Sequence, residues 1–157
     1  MRKILLALLF LVLSVGFVQA DQLTVNNFNV DDSGRLNYRS QWEASTTSDT
    51  VAASESGKVF IVTMTTTPTY TLPTAATGLQ YTFVATTGHA NGSKKIIIDP
   101  QSTDTLVGCV NTLATTAFAA GDAIISPGAT GDSITLVANS SSQWVCTNTK
   151  GTWVDNN

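Results

Sequence analysis

The sequence predicts an all-β fold, an antiparallel β-sandwich of the jelly-roll type, from three observations. The segment Lys58–Ala85 consists of short runs of Val, Ile, Phe, Tyr and Thr, which suit a pleated, half-buried surface. Pro68, Pro73 and Gly78 interrupt these runs, so no helix of ordinary length fits between them. Similar runs recur towards the end of the chain. This gives about eight short strands in roughly 100 residues, a density typical of a sandwich.

The composition indicates a chain that buries a real core and does not bind nucleic acid. Hydrophobic residues make up 43% of the 157 residues and charged residues 12%, which excludes disorder throughout. Eight Lys and Arg against eleven Asp and Glu give a net charge of −3. Proteins bind the phosphate backbone of nucleic acids through clusters of basic side chains, and this mildly acidic chain has no such cluster. We therefore expect no nucleic acid among its partners.

The first 20 residues have the three parts of a secretory signal peptide. Arg2 and Lys3 supply the positive charge, Ile4–Val18 is mostly apolar, and Val18-Gln19-Ala20 places small residues at the cleavage positions. An apolar run of about 15 residues is shorter than the roughly 20 that span a bilayer. We therefore expect cleavage before Asp21, a secreted or extracellular protein, and no membrane contact afterwards.

The next segment, residues 21–50, is polar and rich in Asn, Asp and Ser, with scattered apolar residues. The run Ser45–Thr50 has the composition of a linker. An exposed arm, a stalk, or a first strand that pairs with another subunit all fit this pattern. The predicted organisation is a signal peptide (1–20), a polar arm or linker (21–50) and a β-sandwich domain (51–157).

Strands follow at regular intervals after residue 51. Lys58–Met64 has apolar side chains on both faces, which predicts burial on both sides, between two sheets or against another subunit. Leu79–Ala85 alternates between apolar and polar residues, as expected for a strand in a sheet with one face buried and the other exposed to solvent. Lys94–Asp99 is the next strand. Ser133–Ala138 and Gln143–Asn148 form a hairpin.

The two cysteines, Cys109 and Cys146, are expected to form a disulfide, because an even pair in an exported chain usually does. A zinc site is excluded by the single histidine, His89, and by the wide spacing of the cysteines. His89 in a glycine-rich loop lacks an orienting carboxylate or a nucleophile nearby in sequence. No catalytic residue, metal ligand or cofactor site is therefore predicted.

Aromatic residues are the only candidates for ligand contact. Trp42, Trp153 and Tyr70 could stack on a sugar if they were exposed on one face. Trp144, in a hairpin beside Cys146, is expected to pack in the core. Of the three candidates, Trp42 and Trp153 are the freer ones.

Several short sequence segments are similar to segments found in a known group of proteins. They are ASESGKVF at 53–60, YTLP at 70–73, GLQYTF at 78–83, IIDP at 97–100, DTL at 104–106, GDSITLV at 131–137 and WV at 144–145. Over roughly residues 51–148 the chain resembles β domains in structural proteins of tailed bacteriophages, such as head-fibre, decoration and tail-fibre proteins. The resemblance implies a homo-oligomer, commonly a trimer, without a cofactor. The signal peptide and the cysteine pair depart from it and indicate an exported form.

Two hypotheses of function follow. The first is a non-catalytic structural or attachment protein that self-assembles, secreted or displayed on a particle such as a virion. The second is a carbohydrate-binding module or adhesin that uses exposed aromatic residues and has a cell-surface glycan as partner. An enzyme ranks third, because the sequence shows no triad, carboxylate dyad or metal cluster.

Overall fold

The computed structural model describes residues 28–30, 36–38, 41–87, 94–110, 118–126 and 128–156. The predicted signal peptide and His89 lie outside the described residues. The chain divides into two compact units, Met1–Arg39 and Ser40–Asn157. In the described part of the chain, no helix is long and apolar enough to cross a membrane.

The described residues form strands and one short 3-10 helix, Ala53–Glu55. In chain order the strands are β1 (Phe28–Val30), β2 (Leu36–Tyr38), β3 (Trp42–Ser45), β4 (Asp49–Thr50), β5 (Val59–Thr63), β6 (Thr69–Thr71), β7 (Gln80–Thr87), β8 (Ile96–Asp99), β9 (Thr105–Val107), β10 (Ile124–Ser126), β11 (Ser133–Ala138), β12 (Gln143–Lys150) and β13 (Val154–Asp155). The prediction of an all-β chain is therefore confirmed for these residues.

In the first unit, β1 and β2 pair antiparallel, with Phe28 opposite Tyr38. The second unit contains two mixed sheets. The six-stranded sheet has the order β3-β5-β7-β11-β12-β9, and the five-stranded sheet has the order β13-β10-β8-β6-β4.

From β3 to β8 the chain alternates between the two sheets, so that neighbouring strands within each sheet run parallel. The antiparallel order expected from the sequence is therefore not what this half of the chain shows. The links 46–48 and 64–68 contain no glycine, whereas the links 51–58 and 72–79 contain Gly57 and Gly78 at positive φ, yet all four cross to the other sheet. Local turn chemistry therefore does not decide the crossing, which depends on contacts between distant segments. The predicted hairpin is present: β11 and β12 pair antiparallel.

The two sheets share one apolar core. Phe60 of β5 and Phe83 of β7 stack with their ring centroids 5.0 Å apart, and Tyr70 from the other sheet lies 5.0 Å from Phe83. Trp144 is fully buried, as predicted, and lies 5.6 Å from Tyr81. Burial of each such side chain contributes about 1.5–3 kcal/mol.

The expected disulfide is present between Cys109, which is buried, and Cys146 in β12. Their Cα atoms are 5.0 Å apart and the sequence separation is 37 residues. Closing a loop of this length stabilises the fold by about 3–4 kcal/mol if the effect is the lost entropy of the unfolded chain. The bond links the segment that follows the edge strand β9 to the neighbouring strand β12.

The boundary expected at Val51 lies inside the second unit, which begins at Ser40. The strands β3 and β4 both fall in the segment predicted as an arm, yet β3 pairs with β5 and β4 with β6. Their polar composition is tolerated because each is the edge strand of its sheet.

Candidate interaction surfaces

The outer face of the six-stranded sheet carries the most exposed large apolar side chain among the described residues, Trp42. Parallel pairing places Trp42 beside Val59 and, in the next row, Ala44 beside Ile61 and Val84. Trp42 is 68% exposed, and Val59, Ile61 and Val84 are half-buried. We call this group the Trp42 face: Trp42, Ala44, Val59, Ile61 and Val84.

For Lys58–Met64, burial of both faces between two sheets of this chain is not what the structure shows, and burial of the second face against another subunit stays a prediction. Phe60, Val62 and Met64 point into the core, but Val59 and Ile61 on the other side are covered only in part. The strand is therefore buried on one face within this chain. Its second apolar face belongs to the outer surface.

Among the described residues, β3 is an edge strand of the six-stranded sheet, and no described strand pairs with its outer edge. Edge strands present unpaired backbone groups, and natural proteins blunt them with Pro, Lys, bulges or very short strands. Strand β3, with the sequence WEAS, has no Pro or Lys and is the longest of the four edge strands of the two sheets. Its one acidic residue, Glu43, is engaged by Lys58.

Lys58 holds β3 in place. Its ammonium nitrogen lies 2.8 Å from Glu43 Oε2 and 2.5 Å from Glu55 Oε1, and it sits 5.7 Å from the centre of the Phe60 ring. The hydrogen bonds to Glu43 and Glu55 raise the pKa of Lys58. Burial acts to raise the pKa of Glu55, but the hydrogen bonds from Lys58 and the Ala52 N–H outweigh it and lower that pKa.

Two of the three aromatic candidates for ligand contact are buried. Tyr70 lies in the core against both Phe60 and Phe83, and burial is the main cause of its raised pKa. Trp153 is also fully buried, and its ring N–H points at the carbonyls of Ser133 and Lys150. Both residues anchor the fold, so the expected aromatic platform is reduced to Trp42.

A polar depression of about 340 Å³ lies at the edge of the five-stranded sheet. Its lining residues are Ser48, Asp49, Thr50, Thr69 and Thr71, and we call it the Ser48 depression. Parallel pairing sets Thr50 opposite Thr71, and the Ser48 hydroxyl accepts a hydrogen bond from the Thr69 N–H at 3.0 Å. Sequence reasoning missed this site. The sequence carries no local signal for it, because parallel pairing of β4 with β6 brings the lining segments 48–50 and 69–71 together.

The buried polar groups of the second unit serve the fold. The hydroxyl of Ser126 donates to Asp132 Oδ2 at 2.5 Å, and the Ala129 N–H donates to the same oxygen at 3.1 Å. Ser126 is fully buried, so no substrate can reach its hydroxyl. Among the described residues, no group of three or more His, Cys, Asp and Glu could hold a metal ion.

Comparison with known proteins finds no relative: no family model matches the chain, and no curated protein matches it. Functional conclusions therefore depend on the chemistry of the Trp42 face and the Ser48 depression.

Proposed function

We propose that this protein is a non-catalytic structural or attachment protein that self-assembles, as a fibre, decoration or filament subunit. The observation that carries this proposal is the Trp42 face. An exposed Trp at the edge of a sheet, next to half-buried Val59 and Ile61, is a surface that gains stability when a second copy covers it. The resemblance to phage structural proteins favours a trimer.

The physical argument rests on what the Trp42 face contains. Its five side chains are all apolar, so covering them leaves no charge unpaired. Trp is among the residues that contribute most to binding when they are buried in an interface. The outer edge of β3, which pairs with no described strand, adds backbone groups that can extend the sheet into a neighbouring chain.

The proposal includes export and a sandwich architecture. A disulfide is rare in a cytosolic protein, so the Cys109–Cys146 bond and the signal-like residues 1–20 support a secreted or particle-displayed protein. The contacts of Tyr70 with Phe60 and Phe83 support face-to-face packing of the two sheets as a β-sandwich. The carbohydrate-binding alternative based on aromatic stacking retains only Trp42.

The test is sedimentation of the full mature chain and of its Trp42→Ser variant. We expect the wild-type chain to form a homo-oligomer and the substitution to weaken association more than tenfold, because it removes the largest apolar contact. Val154→Ser is the matched control, since Val154 is 37% exposed on the other sheet. A wild-type chain that stays monomeric at high micromolar concentration contradicts the proposal.

A further inference from the structure

Strands β3 to β8 wind through the two sheets in successive coils, and the two ends of this coil differ. Strands β3, β5 and β7 pair parallel in one sheet, and β4, β6 and β8 pair parallel in the other. At the far end the coil is closed by antiparallel strands, because β11 pairs with β7 and β10 with β8. At the near end, no described strand pairs with the outer edge of β3 or β4. The terminal units of coiled β structures usually need a cap, so this end is where a partner is expected.

The other described sheet edges offer less to a partner than β3 does. The Leu106 carbonyl of the edge strand β9 already accepts the Phe118 N–H at 3.0 Å. The edge strands of the five-stranded sheet, β4 and β13, have only two residues each. Very short strands present few backbone groups for pairing. Among the described edges, β3 therefore has the longest ladder that a second chain could extend.

The backbone groups of β3 that face outward belong to Trp42 and Ala44. The Gln41 carbonyl accepts the Val59 N–H at 2.9 Å, so the Gln41 carbonyl faces β5. Backbone groups of successive residues in a strand alternate between its two sides. Glu43 therefore faces β5 as well, whereas the N–H and C=O of Trp42 and Ala44 face away from it. Ala44 is also exposed, so a partner strand can reach it.

A second copy of β3 matches these groups when it runs antiparallel about a two-fold axis at Ala44. Ala44 and the partner's Ala44 then form a hydrogen-bonded pair, which exchanges both N–H and C=O groups. On the outer face, Trp42 lies opposite the partner's Thr46, and pairs of an aromatic with a β-branched residue are favourable. On the inner face, Glu43 lies opposite the partner's Ser45, which carries no charge.

Charge and overlap select this register from the alternatives. A two-fold axis at Trp42 or at Ser45 would overlap the two copies of β3 by a single residue. An axis at Glu43 overlaps three residues, as the axis at Ala44 does, but it sets two Glu43 carboxylates directly opposite one another. Like charges in that position are destabilising. An axis between two residues would place outer-face side chains opposite inner-face ones, which the pleat of a sheet forbids.

We propose that two copies of this chain pair through β3, antiparallel about Ala44, so that their six-stranded sheets join into one continuous sheet. This inference rests on the proposed self-assembly and identifies the contact that produces it. A two-fold contact closes with two copies, so it gives a dimer, whereas the resemblance to phage proteins implies a trimer. The two Trp42 faces then lie side by side on the same surface of the joined sheet.

Ala44→Pro in the full mature chain tests the pairing. Proline removes the outward N–H and fills its place with the ring, while the bonds of β3 to β5 are kept. Sedimentation should show association weakened about tenfold or more, because both hydrogen bonds of the central pair are lost. Thr50→Pro is the matched control on the other sheet. The Val51 N–H bonds the Thr71 carbonyl, so the Thr50 N–H faces away from β6. Circular dichroism should show that both variants are folded.

Cross-linking through Ala44→Cys tests the register itself. The chain has two cysteines and they are bonded to one another, so this variant carries a single free thiol. The Cα atoms of a hydrogen-bonded antiparallel pair lie about 5.5 Å apart, which is within the range of a disulfide. Mild oxidation should therefore convert the variant to a covalent dimer. Thr147→Cys, at an exposed residue of β12, should not cross-link under the same conditions.

The possible failures separate this proposal from the first. A wild-type chain that stays monomeric contradicts both. A wild-type oligomer that Ala44→Pro leaves intact, without cross-linking of Ala44→Cys, overturns the β3 pairing alone, and the Trp42 face remains the candidate interface. Association lost in Ala44→Pro without cross-linking of Ala44→Cys would mean that a different segment of the neighbouring copy covers this edge, which overturns the two-fold register.

Discussion

At the scale of single residues, one type of turn recurs in the second unit. It occurs at residues 119–122 and again at 129–132. In each turn the backbone N–H of an alanine (Ala119 or Ala129) donates a hydrogen bond to the carboxylate of the Asp three residues later (Asp122 or Asp132). The backbone N–H of that Asp donates in return to the carbonyl of the alanine. The repeated Gly-Asp pairs of the sequence lie in these turns. Asp132 is the more constrained of the two acids, because Ser126 also binds it and it is only 4% exposed.

Gly151→Ala should destabilise the protein much more than Gly78→Ala. Both glycines have positive φ, which costs an alanine about 1–2 kcal/mol. A Cβ at Gly78 meets open space, whereas at Gly151 it would lie 1.9 Å from Asp132 Oδ1. Moving the carboxylate breaks the bonds from Ser126 and Ala129, which adds roughly 1–3 kcal/mol. Urea unfolding measures both values, and equal losses would show that the Asp132 network contributes little.

At the scale of elements, the attachment of β3 is the feature on which the Trp42 face depends. Strand β3 is short and polar, and it is held by its ladder with β5 and by Lys58, which bridges Glu43 and Glu55. The 3-10 helix Ala53–Glu55 contributes to this support by presenting Glu55. Lys58 thus supports the strand that carries the exposed Trp42.

Lys58→Met should remove a stabilisation that depends on pH at both ends of the range. The lowered pKa of Glu55 means that its contribution is present above its ordinary pKa and is lost as the pH falls through the lowered value. The raised pKa of Lys58 means that its contribution is present below the ordinary 10.5 and is lost as the pH rises through the raised value.

The difference in melting temperature between wild type and Lys58→Met should therefore be largest at neutral pH and shrink in acid and in strong alkali. Discounted for partial exposure, the loss at neutral pH is about 1 kcal/mol. Lys150→Met, at an exposed residue of β12, is the control. A difference that does not change with pH would mean that Lys58 acts through packing alone.

At the scale of the whole molecule, the alternation between sheets makes β3 and β4 the first strands of one continuous structure. Removing them would uncover β5 in one sheet and β6 in the other. The preceding residues 21–39 belong to the other unit. We propose that residues 21–39, the part of the expected arm that lies outside the second unit, contribute to assembly.

Two truncations of the mature chain should behave differently. Deleting 21–39 should leave a folded β unit whose self-association is weakened, because both sheets are complete within Ser40–Asn157. Deleting 21–50 should destabilise the fold itself, since it removes an edge strand and its core contacts from each sheet. Circular dichroism and sedimentation distinguish the two effects. A 21–39 deletion that assembles like wild type would show that the arm has no role in assembly.

Much of the fold follows from the sequence alone, because the signals are local. Alternation and β-branched residues identify the strands and their apolar faces, and the only two cysteines can only pair with one another. The polar turn between β11 and β12 specifies their hairpin. The burial of Trp144 follows from its place in that hairpin.

Only the tertiary structure decided which strands pair and which aromatic residues stay exposed. A link that returns as a hairpin and one that crosses to the other sheet differ little in local sequence, so the choice depends on contacts between distant segments. Because of those contacts, β3 and β4 are strands of the two sheets, although the sequence predicted that their residues belong to an arm. The same contacts bury Tyr70 and Trp153, whereas Trp42 remains exposed to solvent. The Ser48 depression exists only because parallel pairing aligns two triplets 21 residues apart, Asp49 opposite Tyr70. No local pattern contains that register.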